Sequence, residues 1–240
     1  MNKIYLESKS FTYPDEIERK QYSEKYKKFE TIEVEYIHTL ISMHNYKLTF
    51  EEAQNLEDIN WCYNCFINRL NKLSQSHLYL ITHYNRSRKN ENLFTDKYLF
   101  EYYNEIFYYY YYSVRDIIAQ LINEIEDLKI KENDIYINKL IPKIKDKNLR
   151  KDFSNFCTKT NESYKVIRNA FNHRFSPDIN DNRSKITDLK KDNVYEFNFP
   201  KSNKISNKEF YEDTELLMNE LHKLIPTLNR QIQKRYSFMK

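Results

Sequence analysis

The stretch Asn161 to Phe175, NESYKVIRNAFNHRF, concentrates residue types suited to acid–base and phosphate chemistry. Histidine titrates near neutral pH and can both accept and donate protons. Arginine stays charged and presents a planar fork matched to phosphate oxygens. Arg168 and His173 stand five positions apart, about 140° around an ideal helix, so they do not stack on one face. Asn169 and His173, four apart, do. The segment therefore offers Asn169 and His173 together, with Arg168 at the edge of the same surface and Arg174 beside it. A purely structural reading stands next to this one: Arg168 paired with Glu162 or a loop acid, and His173 placed at a helix end where the dipole favours it.

Most other chemistries drop out. The chain of 240 residues contains no glycine, and phosphate-cradling loops need positive φ and close backbone approach. Neither GxGxxG nor the P-loop pattern is possible, which removes dinucleotide oxidoreductases, P-loop NTPases and protein kinases. Cys62 and Cys65 form a CxxC, but no second CxxC or HxxxH completes a tetrahedral zinc site, and Cys157 leaves an odd count. No metal and no cofactor is expected. His38, His44, His77 and His83 lie on or near apolar helical stripes without ligand spacing, and are expected in the core. A formal charge of +4, spread along the chain, predicts no strong non-specific nucleic-acid binding but leaves room for a local basic site. No stretch is long and apolar enough for a membrane span, and the N-terminus lacks the apolar core of a signal peptide, so a cytoplasmic location is expected.

The elements that must position this segment read as helices, because apolar residues recur every three or four positions. Pro14 to Tyr46 carries Tyr22, Tyr26, Phe29, Ile37, Leu40 and His44 on one stripe. Phe50 to Asn85 carries Leu56, Ile59, Tyr63, Phe66, Leu70, Leu73, His77, Leu80 and Tyr84, opened by a capping box of Thr49 and Glu52. The short link between the two predicts a helical hairpin. A third long helix is expected from Thr95 to Leu128, with Arg115, Asp116 and Gln120 on its polar flank. Lys129 to Lys147 reads as a loop with a helical turn, and short helices follow near Asn148 to Lys159 and Asn161 to Phe175. Val194 to Phe199 alternates as a short strand would. Ser206 and Glu209 form a second capping box opening a last helix through Leu217, Leu221, Leu224, Leu228 and Ile232, which Pro226 should kink. The expected architecture is all-α, an up-and-down bundle in one domain over residues 1–240, with an N-terminal hairpin over 1–93 and the motif-bearing helices over 94–240.

The run RNAFNH matches the R-x(4–6)-H signature, with a polar residue after the arginine, and it follows FEYYNEIFYYYYYSVRDIIAQLIN, a helix whose aromatic-rich stretch ends in an Arg-Asp pair. In both respects the chain resembles the HEPN family of ribonucleases, chiefly over residues 94–175 and extending to the final helix.

The resemblance implies metal-independent cleavage of RNA. A base removes the 2′-OH proton, an acid protonates the leaving 5′-oxygen and a cation stabilises the crowded phosphate. It assigns the phosphate to Arg168, the proton transfers to His173 and an orienting role to Asn169, with Arg174, Lys165, Arg115 and Asp116 as RNA-binding or supporting residues. One Arg and one His per chain are sparse, and HEPN sites form where two protomers join their motifs, so a homodimer is expected. Family roles as toxins or in phage defence imply an antitoxin or regulatory partner; no membrane partner is expected. Two other readings are a catalytically inactive HEPN-like module binding RNA or protein, and a helical interaction protein. The tyrosine run Phe107 to Tyr112 covers the whole circumference of its helix, and is expected in the core and at a dimer interface rather than as a base-stacking platform.

Overall fold

Forty residues with neither proline nor glycine, Phe50–Lys89, form the longest helix, α2. The computed structural model that contains it describes residues 13–34, 48–89, 94–163, Ile167, Phe171, 185–188, 195–198 and 205–236. The stripe read from the sequence is its buried face, from Leu56 through Leu73 to Tyr84. The Thr49 hydroxyl accepts from the Glu52 N–H while the Glu52 carboxylate accepts from the Thr49 N–H, closing the expected capping box.

Helix α3, Phe94–Ile125, runs antiparallel to α2: His83 meets Asp96, His77 meets Phe107 and Asn55 reaches the Glu124 carbonyl. With no glycine available, α3 stops on Asp127, whose φ is 49°. The Leu128 N–H bonds to the Asn123 carbonyl and the Asp127 N–H to the Glu124 carbonyl, a Schellman closure with aspartate in the left-handed position. Two 3-10 turns, Glu132–Asp134 and Ile141–Lys143, flank the single-turn α4, Ile137–Leu140.

Helix α5, Lys147–Ser163, runs through the break expected near Thr160, because Thr160 turns its hydroxyl back to the Phe156 carbonyl and is fully buried. Strands β1, Lys185–Asp188, and β2, Tyr195–Asn198, pair antiparallel with Ile186 opposite Phe197. Helix α6, Asn207–Arg235, opens on the Ser206–Glu209 box and continues past Pro226 to Arg235. It lies antiparallel to α2, with Tyr84 stacked on Tyr211 and Tyr236 bonded to the Leu56 carbonyl. Against α5 it pairs Thr227 with Asp152 and Glu220 with Lys159. Helices α2, α3, α5 and α6 thus alternate in direction around one aromatic-rich core, the all-α up-and-down bundle.

The first expected helix is corrected. Instead of running from Pro14 to Tyr46, α1 spans Glu16–Lys25, capped by an Asp15–Glu18 box, and Tyr26 is already extended. Its helix-long stripe fails because residues 27–34 spend their backbone on other helices. The Ile32 N–H donates to Tyr63 Oη at 2.8 Å, and the Glu30 carbonyl accepts from Asn229 Nδ2 at 2.8 Å. Those bonds replace the i→i−4 ladder with tertiary partners. Ile37, Leu40, His38 and His44 lie outside the described residues. Among the described residues no helix is long and apolar enough to cross a membrane.

Candidate functional site

Helix α5 delivers the chain to the motif segment at Ser163, and a carboxylate from another helix holds that delivery point. Asp213 of α6 accepts from Ser163 Oγ at 2.5 Å through one oxygen and from Tyr108 Oη of α3 at 2.6 Å through the other. Tyr108 is buried, and burial with the neighbouring carboxylate pushes its phenol well above the ordinary tyrosine range, so it stays a donor. Asp213 precedes Leu217 by one turn on the apolar stripe of α6. An acid in line with an apolar stripe is the signal in the sequence that marks this position.

Beyond Ser163, two residues of the motif segment are described, Ile167 and Phe171, and both anchor it. Ile167 belongs to the core. Phe171 is half-buried, its ring 5.8 Å from Tyr108 and 6.2 Å from Phe210. Arg168, Asn169, His173, Arg174 and Lys165 lie outside the described residues.

Beside Phe171 an aromatic cleft of about 550 Å³ is walled by Tyr102, Tyr109, Tyr112 and Ser113 and ends at Asp116. On the other side of Asp116 a more polar hollow of about 650 Å³ contains Arg115, Gln120, Tyr136, Cys157 and Asn161. Asp116 is exposed on the ridge between the two. Arg115 is not on a polar flank as the sequence implied: it is 6 % exposed and turned toward α5, where its charge lies beside the Cys157 thiol. A helical step of about 100° separates adjacent residues, enough to put Arg115 inside and Asp116 outside. Burial pushes the Cys157 thiol up to about 11 despite the arginine, so it is not a ready thiolate.

The tyrosine run divides as helical geometry requires. Phe107, Tyr108, Tyr111 and Tyr112 are buried, and Tyr109 is 62 % exposed. Cys62 and Cys65 sit half-buried inside α2, and the Cys62 thiol is pushed up to about 12 by burial. No group of three or more metal-ligating side chains occurs among the described residues. His77 and His83 are buried, His77 bonded to Tyr22 Oη at 2.9 Å and His83 to Asp96 at 2.8 Å.

The HEPN_Cthe2314-like HEPN family model matches residues 61–240, three quarters of the chain. The chain belongs to this HEPN family. The match starts within α2, upstream of the helix that first carried the resemblance, and takes in α3, the motif segment and α6. No curated protein and no solved structure matches the chain.

Proposed function

We propose that this chain is a metal-independent endoribonuclease whose site is assembled from Arg168, Asn169 and His173 of two protomers. The observation that carries the reading is the family match across the whole R-x4-H segment. The support beneath it is physical: Ile167 and Phe171, one turn apart, pin the segment to the core beside Asp116.

In the proposed reaction a histidine takes the proton of a ribose 2′-OH, and the 2′-oxygen attacks the adjacent phosphorus. The bond to the 5′-oxygen breaks as the second protomer's imidazolium protonates it. The products are a 2′,3′-cyclic phosphate and a 5′-hydroxyl. Arg168 neutralises the phosphate through its bidentate fork, Asn169 orients one imidazole, and Asp116, Arg115, Arg174 and Lys165 support the site or the RNA. A toxin or phage-defence role, with a protein partner restraining it in the cytoplasm, is the setting this reading fits.

Incubation of the purified protein with single-stranded RNA in excess EDTA tests this. Cleavage is expected to persist and to leave cyclic phosphate ends. His173→Ala should lower turnover by at least about a hundredfold while leaving RNA binding nearly intact, since proton transfer by a placed side chain contributes about 10²–10⁴. Arg168→Lys should keep more binding than turnover, because the ammonium retains charge and loses the fork. Activity lost on chelation and restored by magnesium or manganese would rule the mechanism out. Wild-type turnover in folded His173→Ala would remove the segment from the site.

A further inference from the structure

The strongest unassigned feature is a basic cleft on the far side of the N-terminal turn of α6. A cleft of about 500 Å³ between α1, the end of α2 and α6 is lined by Lys25, Arg86, Arg88 and Lys89, with Tyr26 and Tyr211 in its wall. It continues past Lys25 and Tyr26 into a second hollow of about 390 Å³ lined by Lys27 and Lys28. The acids lining the two are Glu18 and Glu30.

The cations divide into two sets. Arg86 is held by Glu18 through two bonds of 2.7 Å, and Lys25 by Glu215 at 3.4 Å. Lys27, Lys28, Arg88 and Lys89 are exposed and make no ion pair among the described residues. Basic residues in the last turn of α2 complement its dipole, but that effect is confined to one helix end. Lys27 and Lys28 come from the extended strap after α1, so two separate elements converge their charge on one groove.

The groove is held in shape by buried bonds behind it. Tyr22 Oη is bonded to His77, Tyr26 donates to Glu215 and Phe29 stacks on His222 at 4.0 Å. Its aromatic rings are already covered. Tyr211 stacks on Tyr84 at 4.4 Å with the Lys25 ammonium 5.1 Å over it, and Tyr22 lies 4.6 Å from Tyr26. Rings occupied in this way do not offer a face to a base, whereas the exposed Lys27, Lys28 and Lys89, with Arg88 lying 5.9 Å over the Tyr84 ring, present their charge to phosphate.

We propose that this groove is an exosite that holds the phosphodiester backbone of single-stranded RNA, without reading its bases, next to the cleavage segment. The inference rests on the ribonuclease reading. Phe210 touches Phe171 and the next residue, Tyr211, lines the groove. RNA passing from one to the other crosses the width of one helix, about 10 Å.

The test uses the full chain carrying His173→Ala and an unstructured RNA of about twelve nucleotides, with affinity measured by fluorescence anisotropy from about 50 to 200 mM salt. Each lost backbone contact should reduce the salt slope by about 0.7. Arg88→Ala/Lys89→Ala and, separately, Lys27→Ala/Lys28→Ala should each weaken binding about tenfold or more and flatten that slope by up to about 1.4. In the active chain, the same pairs should raise KM for long RNA and leave turnover of a dinucleotide unchanged. Circular dichroism checks folding, and two pairs from different elements keep the test decisive if one misfolds.

Unchanged affinity and slope in both pairs, with RNA still cleaved, would overturn the exosite alone. Competition by polyglutamate as strong as by RNA of equal charge would overturn its assignment to nucleic acid. Absence of cleavage by the wild-type chain, with the variants still weakening RNA binding, would remove the ribonuclease reading and retain the groove. Absence of any RNA binding would overturn both.

Discussion

Asp213 shows how a single residue can join three elements of the bundle. Its two oxygens collect Tyr108 from α3 and Ser163 from the end of α5, so the start of the motif segment is tied to the aromatic helix through α6. Removing the carboxylate leaves a buried phenol without an acceptor, which costs about 1–3 kcal/mol. Asp213→Ala is therefore expected to lower unfolding free energy by about that amount in urea melts. RNA cleavage should fall as well, because the segment loses its tether. Asp213→Asn, which keeps an acceptor for one donor, should lie between. An unchanged urea midpoint in Asp213→Ala would show that the tether carries no load. Arg115 and Asp116 give the converse lesson. They read as one polar pair in sequence, yet one points to Cys157 and the other to solvent.

At the scale of elements, the long stripes of α2 and α6 are local patterns that survive into the fold, whereas the stripe expected on α3 through Tyr103, Ile106, Tyr110 and Ile117 is only half-buried, and the buried face turns to Phe100, Phe107, Tyr111 and Ile118. The N-terminal stripe did not survive, because residues 27–34 find better partners in Tyr63 and Asn229 than in their own helix. The end of α3 carries a checkable cost. Asp127 holds φ 49° where glycine is the usual occupant, and left-handed conformation costs an ordinary residue about 1–2 kcal/mol. Asp127→Val should thus destabilise by roughly that amount, while Asp127→Gly should be neutral or slightly stabilising, read from denaturant midpoints. Equal stability of the two variants would mean that the closure is not held at this position.

For the whole molecule, burial of titratable groups sets a pH dependence. His77 is fully buried and its imidazole is pushed down to about 3, chiefly by desolvation, with Lys25 and His222 adding to it. Glu215 lies 4.0 Å away and Tyr22 is hydrogen-bonded to it. Below its ordinary value of 6.5 the unfolded chain binds this proton and the folded chain does not, so stability is full above that pH and falls as pH drops. His83 and His222 are lowered too, and act in the same direction. Stability should decline between about pH 6 and 5, and His77→Gln, which keeps an acceptor for Tyr22, should remove up to about 1.4 kcal/mol per pH unit of that slope. The same slope in His77→Gln would contradict the assignment. The proposed shared site also requires association. The exposed aromatics Phe94, Tyr98, Tyr102 and Tyr109 share one stripe of α3, and such a surface on one face favours a partner. Sedimentation at micromolar protein is expected to give a dimer, and Tyr102→Ser/Tyr109→Ser to give a monomer without RNA cleavage. A clean monomer that cleaves RNA would exclude the two-protomer site.

Helix class, the stripes of α2 and α6, both read capping boxes and the HEPN resemblance were legible in the residues, because helical periodicity, capping and a short motif depend on neighbours in the chain. Tertiary structure alone decided that residues 27–34 form a strap, that Arg115 turns inward and Asp116 outward, that Asp213 gathers Tyr108 with Ser163, and that Lys27 and Lys28 share a surface with Arg88 and Lys89. Each of those joins residues on different elements, and an extended backbone bonded to distant side chains, or a charge cluster drawn from two elements, has no signature at short range.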